Sequence, residues 1–384
     1  MLSADQAVAI EQAELADVVP GPTAGTWYVR TGSKVGVVLG DDWELRVRPH
    51  LSVPGLMFLL GYSRDQRGWR RDIAEFEEED DLLAAIASGF SWHAIWALER
   101  GALRGYIRHD ERRHDLRGRV LFGEQLSRGG LPLPVHLTYD EFTEDVLENR
   151  ILRTATQLLL RLQRVPIDAR RRLLRIRALL EHVPPLSEWR GVTAPPPNRL
   201  NERYGPALRL AELVLSSASL SLERGATRST TFVFDMNKVF EDFVTVAFRE
   251  AMRPYGGQVR DQVTPYSLDE DHELKLKPDL SWWNDGRCLA VLDAKYKAID
   301  DGVMKHPDAY QMLAYCTAYN LRRGYLVYAK DSGLQPRTHV VRHSDHEIVV
   351  IAVDVEAERA ELTSSIRELA ACVAADYDRV AVAS

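Results

Sequence analysis

Two runs of alternating side chains, separated by Asn284-Asp285-Gly286, constrain the fold more than any other stretch of this chain. Asn and Asp followed by Gly supply the left-handed residues that a tight hairpin turn needs. In the first run Leu274, Leu276, Leu280 and Trp282 alternate with Lys275, Lys277, Asp279 and Ser281. In the second, Leu289, Val291, Asp293 and Lys295 share one face, because strand side chains repeat every two residues. The loop decides where Asp279 points. A three-residue loop, or a bulge, puts Asp279 and Asp293 on the same face; a strict two-residue turn puts Asp279 on the other. The expectation is the former, with two carboxylates and Lys295 gathered at one point of a sheet.

Two close carboxylates repel unless a cation lies between them, and hard cations such as magnesium take oxygen ligands. Such a cation can polarise a phosphodiester and lower the pKa of a bound water. Lys295 is placed to orient the attacking water or to offset charge on the phosphorane. Pro278-Asp279 followed by Asp293-Ala294-Lys295 resembles the PD-(D/E)XK nuclease signature. Taken alone, the triplet is better explained by a half-exposed strand with Asp and Lys on its wet face. Two further features shift the balance. Met236, Val239, Phe240, Phe243 and Ala247 fall at helical spacing, with Asp235 or Asn237 as N-cap, and Glu241 lies on that helix. Glu241 is either a solvated helix acid or a third metal-side carboxylate, which this nuclease fold commonly takes from the helix before its first strand. Gln311 and Tyr315 lie one helical turn apart and share a face. By themselves they describe an ordinary amphipathic helix; after Asp-x-Lys, Gln-x-x-x-Tyr resembles the RecB-type branch of these nucleases, where the pair lines the site.

At 384 residues the chain is long enough for two or three domains. No apolar run approaches a membrane span, and the start carries early acids and no basic segment, so no secretory signal is expected. Cys288, Cys316 and Cys372 are scattered, which fits a reducing cytoplasm and leaves no ligand set for an iron–sulfur cluster. Net charge is −7, against DNA binding through the whole surface, yet Arg150 to Arg177 is arginine-rich with Asp168 its one acid. That stretch reads equally as a DNA track or a partner surface. The opposite run, Glu75 to Asp81, reads as a solvated face. Neither a G-x-x-x-x-G-K-[ST] loop, a G-x-S-x-G element nor an H-E-x-x-H helix occurs, so no nucleotide-binding residues are expected.

In chain order, a short helix or arm up to about Asp17 precedes strands at Trp27–Arg30, Lys34–Leu39 and Trp43–Arg48, with Gly40-Asp41-Asp42 turning between the last two. Pro54 opens a helix. Helix is expected from Asp80 to about Tyr106 and from Tyr139 to Leu180, broken at Pro166. Pro184-Pro185 and Pro195-Pro196-Pro197 bracket the best linker. The expected division is a β-rich partner-binding module over 1–105, a helical, arginine-rich region over 106–228 with its linker near 184–197, and an endonuclease domain over 229–384. The last should be a mixed sheet flanked by helices, so the fold class is α/β (α+β overall).

Several stretches together resemble the McrC family, the nuclease subunit of McrBC-type, modification-dependent restriction systems. They are VGVVLGDDWELRVRPHLSVPGLMFLLGYS, RGALRGYIRHDERRHDLRGRV, YDEFTEDVLENRIL, FVFDMNKVFEDFV and PDLSWW with LDAKYKA. The chain departs from the family at Arg48-Pro49-His50, where a Pro-Lys pair is more usual. The resemblance implies a two-component machine: an McrB-like AAA+ hexamer hydrolyses GTP and recognises modified DNA such as 5-methylcytosine sites. The McrC-like subunit docks on it through its N-terminal part, stimulates the GTPase and cuts double-stranded DNA. It further implies that Asp279, Asp293 and Glu241 serve magnesium, with the Ala294 carbonyl. Lys295 would assist the water, Gln311 and Tyr315 would shape the pocket, and Lys297 would be a phosphate contact or a plain surface lysine. Two alternatives stand beside it: a non-catalytic adaptor of the ring, and a standalone RecB-type repair nuclease.

Overall fold

A computed structural model describes residues 2–23, 25–40, 43–49, 51–64, 81–127, 133–222, 228–296, 306–330 and 337–383. The acid run at 75–80, the turn residues Asp41 and Asp42, Lys297 and the charged loop at 299–305 lie outside the described residues. The chain divides into two compact units, Met1–Asp80 with Ser221–Ser384, and Asp81–Leu220. This differs from the division expected after residues 105 and 228. The reason is a long-range pairing: strand Lys34–Leu39 runs antiparallel to Arg228–Asp235, from Lys34 opposite Asp235 to Leu39 opposite Thr230. Ser33 adds a hydroxyl bond to Asp235 and its carbonyl accepts from the Met236 amide. The N-terminal strands therefore belong to the unit that carries the acid-bearing hairpin.

Gly36 makes that pairing possible. Its φ is 143°, and a Cβ there would stand 1.9 Å from the Phe232 carbonyl oxygen. Gly36→Ala is expected to cost about 1–3 kcal/mol, read by thermal unfolding; an unchanged melting temperature would mean the two strands do not meet in this register.

In the same unit, helix Val53–Arg64 packs on helix Met236–Ala251. Phe58 and Tyr62 lie 6.0 and 5.3 Å, ring to ring, from Phe243, and the Tyr62 hydroxyl donates to Glu250. The main sheet holds, in spatial order, Gln258–Asp261, Leu280–Asn284, Arg287–Lys295, Arg323–Lys330, Glu347–Asp354 and Arg337–Val340. Pairs are antiparallel at both ends and parallel in the middle, the expected mixed sheet. One face carries Val291, Leu326, Tyr328, Ile348 and Val350 packed against Met312, Tyr315 and Cys316 of helix His306–Ala318. On the other, Phe240 meets Tyr296 and Trp282 meets Tyr377, so that the helices Met236–Ala251 and Arg359–Ala383 cover it. The first run of the hairpin is shorter than expected. The strand begins at Leu280, and Leu274 to Asp279 lies outside the sheet apart from a bridge between Ser267 and Lys275. Pro278, which lacks an amide proton, stands at that boundary.

Unit Asp81–Leu220 packs helices Leu82–Leu98, Leu147–Leu159, Ile167–Leu179 and Gly205–Ser217 beside a three-stranded sheet of Gly105–Arg113, Val135–Thr143 and Arg119–Val120. Helix was expected to run on to Tyr106, and again from Tyr139; it stops at Leu98, and residues 135–143 are strand. Charged residues fill both faces of 105–113, so its sequence has no apolar period; pairing with Val135–Thr143 decides its state. The proline-rich 184–197 segment lies inside this unit instead of separating two. Leu186 donates to Thr154, Ala194 to Glu212, and buried Asn201 bridges Glu148 and the Pro196 carbonyl. Of the arginines expected to serve DNA or a partner, several answer internal acceptors: Arg150 pairs with Asp145, Arg153 with the Leu180 carbonyl, and Arg172 with Ser91. Among the described residues no helix is long and apolar enough to cross a membrane.

Candidate functional site

The hairpin turn is Asp285-Gly286, with φ of 48° and 77°, and it joins Asn284 directly to its partner Arg287. That is a two-residue turn, which alone would set Asp279 on the wrong face. The shift comes from a bulge: Trp283 faces Cys288 while Trp282 faces Ala290, leaving Leu289 unpaired. Beyond it Leu280 faces Leu292, the last pair of the ladder, so the same register carried one residue further brings Asp279 to the face of Asp293. Of the two devices considered from the sequence, the bulge is the one present.

Asp293 is 1% exposed and neither of its oxygens accepts a directed hydrogen bond. Lys295 Nζ meets Oδ2 as an ion pair. Asp279 Oδ2 accepts the Ala294 amide at 2.9 Å. Burial, then the charges of Asp293 and Glu241, push the Asp279 carboxyl up to about 7. Asp293 is also raised, chiefly by burial, against the pull of Lys295. Burial works against the Lys295 ammonium, but the charges of Asp293, Asp279 and Asp308 outweigh it and raise its pKa.

Glu241 is not drawn into this group. Its helix covers the opposite face of the sheet, and its carboxylate accepts from the Gln262 amide at the sheet edge, acting on Asp279 through its field. Among the described residues no three acidic, histidine or cysteine side chains converge into a metal cage. Two do. Magnesium is commonly held by one or two carboxylates plus water and phosphate oxygens. Two carboxylates, one buried in an ion pair with Lys295 and the other with its carboxyl pushed up chiefly by burial and then by the charge of Asp293, fit a hard divalent cation.

Gln311 and Tyr315 do meet. Gln311 Nε2 donates to the Tyr315 hydroxyl at 2.9 Å, and that hydroxyl donates to the Lys277 carbonyl at 2.9 Å. The pair thus fixes the chain two residues before Asp279, on the face where the acids lie. Tyr315→Phe is expected to cost about 1 kcal/mol by stranding that carbonyl, measured by denaturant unfolding; no loss would show that the Lys277 carbonyl is served by water.

Two residues escaped the sequence reading. Gln262, with φ of 49°, joins Glu241 to the sheet edge and gives its amide to the Asp279 carbonyl. No periodic signal marks it. Asp308 is 4% exposed in the first turn of the Gln311–Tyr315 helix, and its Oδ2 accepts from the Tyr328 hydroxyl at 2.8 Å. It stands three residues before Gln311 and seven before Tyr315, on their face, but an acid at a helix start reads first as an ordinary dipole partner.

The sequence profile of the family described as McrBC 5-methylcytosine restriction system component matches residues 29–329. No curated protein matches the chain. Among solved structures it is similar to a chain of the refined half-complex from the tetradecameric assembly of Thermococcus gammatolerans McrB AAA+ hexamers with bound McrC. Identity is 19%, the match covers 96% of this chain and 89% of that chain, and the TM-score is 0.63. A chain of the cryo-EM structure of the Thermococcus gammatolerans McrBC complex matches at 22% identity and a TM-score of 0.41, covering 68% of this chain and 75% of that chain. The first is a likeness of fold over nearly the whole length.

Proposed function

The chain belongs to the family of McrBC 5-methylcytosine restriction system components, and from that premise we propose that it is the DNA-cutting subunit of a two-component restriction system. The observation that carries the reading is the bulged hairpin, which sets Asp279 and Asp293 on one face beside Lys295. Asp279 and Asp293 would hold magnesium. When bound, it supplies Lewis-acid polarisation of the scissile phosphate and a more acidic water. Lys295 Nζ, a donor-only group, orients the attacking water and offsets charge growing on the non-bridging oxygens. Tyr315, steadied by Gln311, holds the Lys277 carbonyl and with it the approach of the Asp279 strand. Glu241 and Gln262 hold the sheet edge, where the Glu241 charge favours a cation beside Asp279.

The partner is an AAA+ ring that hydrolyses GTP, docked by this chain and stimulated by it. Support comes from the family and from the likeness to a chain of an assembly of McrB AAA+ hexamers with bound McrC. The absence of a phosphate-binding loop from the sequence agrees with nucleotide chemistry on another chain.

The test is cleavage of 5-methylcytosine-containing duplex DNA with the purified chain, magnesium, the cognate ring subunit and GTP, omitting each in turn. Cutting is expected only with all present. Cutting by the chain and magnesium alone would mark a standalone repair nuclease, and no cutting with any divalent cation, despite stimulated GTP hydrolysis, would mark an adaptor.

A further inference from the structure

Of the described lysine side chains, Lys34, Lys238 and Lys295 are each paired with a carboxylate, those of Glu14, Asp242 and Asp293. Lys275 and Lys277 are exposed and pair with no acid among the described residues. They precede Asp279 on the same stretch of chain, and that stretch is fixed at several points. Lys275 lies in a bridge with Ser267, and the Leu276 amide donates to the Tyr266 carbonyl. The Leu276 side chain packs on the core that holds Met312 and Tyr315. The Lys277 carbonyl accepts from the Tyr315 hydroxyl at 2.9 Å, and Pro278 keeps the residue before it extended. Two ammonium groups are thus mounted on an anchored segment beside the acids.

The acids give such a mounting a use. Asp279, Asp293 and Glu241 set three negative charges against the one positive charge of Lys295, and a divalent cation only cancels the remainder. A centre with no excess positive charge does not draw in a polyanion; phosphate contacts from Lys or Arg must come from its surroundings. Further out the same excursion turns acidic. Asp269, Glu270, Asp271 and Glu273 crowd its tip, where Asp269 accepts the Glu273 and Leu274 amides at 3.1 and 2.8 Å. The charge changes sign between tip and root, and only the root suits a phosphate backbone. Two residues of extended chain advance about 7 Å, close to the step between neighbouring phosphates of one strand. Resting on the DNA-cutting reading above, we propose that Lys275 and Lys277 grip consecutive phosphates of one DNA strand beside the scissile one, and so hold the duplex over Asp279 and Asp293.

The test is binding of a fluorescent DNA duplex to the full chain with magnesium chloride, without ring or GTP, by anisotropy over a range of potassium chloride. Lys275→Gln and Lys277→Gln are each expected to lower the slope of log affinity against log salt by about 1, and the double variant to bind about tenfold more weakly at low salt. Lys277→Arg is expected to keep the wild-type slope. A wild-type chain with no measurable affinity at low salt, or a double variant with the wild-type slope, would overturn the proposal. So would a double variant that binds DNA normally but no longer stimulates GTP hydrolysis, because the lysines would then serve the partner ring. A lysine-dependent slope in a wild-type chain that cuts no DNA with ring, GTP and any divalent cation removes the cutting reading instead, and leaves the two phosphate contacts standing.

Discussion

On the proposed function, Asp293→Ala and Lys295→Met are each expected to lower cleavage of modified duplex DNA by about 10³-fold or more, while stimulation of GTP hydrolysis by the partner ring is expected to persist. The expectation follows from burial. Asp293 is almost wholly enclosed, and among the described residues the cation paired with it is Lys295. Removing the carboxylate removes a ligand that no described neighbour on this face replaces except Asp279, which already gives one oxygen to the Ala294 amide. Removing the ammonium while keeping the methylenes preserves packing and deletes the donor. The two assays, DNA cleavage on a gel and phosphate release by the ring, separate chemistry from docking. If either variant still cuts at near wild-type rate, the nuclease reading is wrong at its centre. Loss of both activities together would point to a misfolded chain, and a melting curve distinguishes that case.

Asp279→Asn is expected to make the protein more stable, by about 2–4 kcal/mol above pH 7. The Asp279 carboxyl is pushed up to about 7 from 3.8 by burial, then by Asp293 and Glu241. Between about pH 4 and 7 the folded chain therefore holds a proton that the unfolded chain has released, and stability falls as pH rises through this window. The penalty is absent below about pH 4 and complete above about 7. Asparagine keeps an oxygen for the Ala294 amide and carries no charge, so the variant should unfold at a higher temperature than the wild type at pH 8 and alike at pH 4. A flat difference across that range would mean the carboxyl titrates normally and does not share its burial with Asp293. The same pKa has a consequence for the proposed cation: magnesium would have to displace the Asp279 proton, so its affinity is expected to fall as pH drops below about 7. Stability given up to hold two acids together is a usual companion of a working site.

The alternation around Asn284-Asp285-Gly286, the capped helix carrying Glu241 and the one-turn spacing of Gln311 and Tyr315 were all legible without coordinates. Each is a short-range pattern, and strand and helix periods are local properties of the backbone. Strand order and domain membership were not legible. Lys34–Leu39 finds its partner in Arg228–Asp235, roughly 200 residues on, so residues 1–80 join the hairpin's unit although their composition suggested a module of their own. Likewise 105–113 has no apolar face by which to announce itself as a strand.

At the site, residue types and spacing by themselves determined that Asp279, Asp293 and Lys295 could converge. Whether they did turned on one unpaired residue, Leu289, and a single-residue slip moves every side chain of a strand to the opposite face. Only the tertiary structure decided that Glu241 stays with Gln262, because its helix packs on the other side of the sheet. It alone tied Asp308 to Tyr328, the residue opposite Lys295 on the adjacent strand. Local periodicity specifies which face a side chain can take; which faces meet depends on contacts between segments far apart in the chain, and those are chosen by packing.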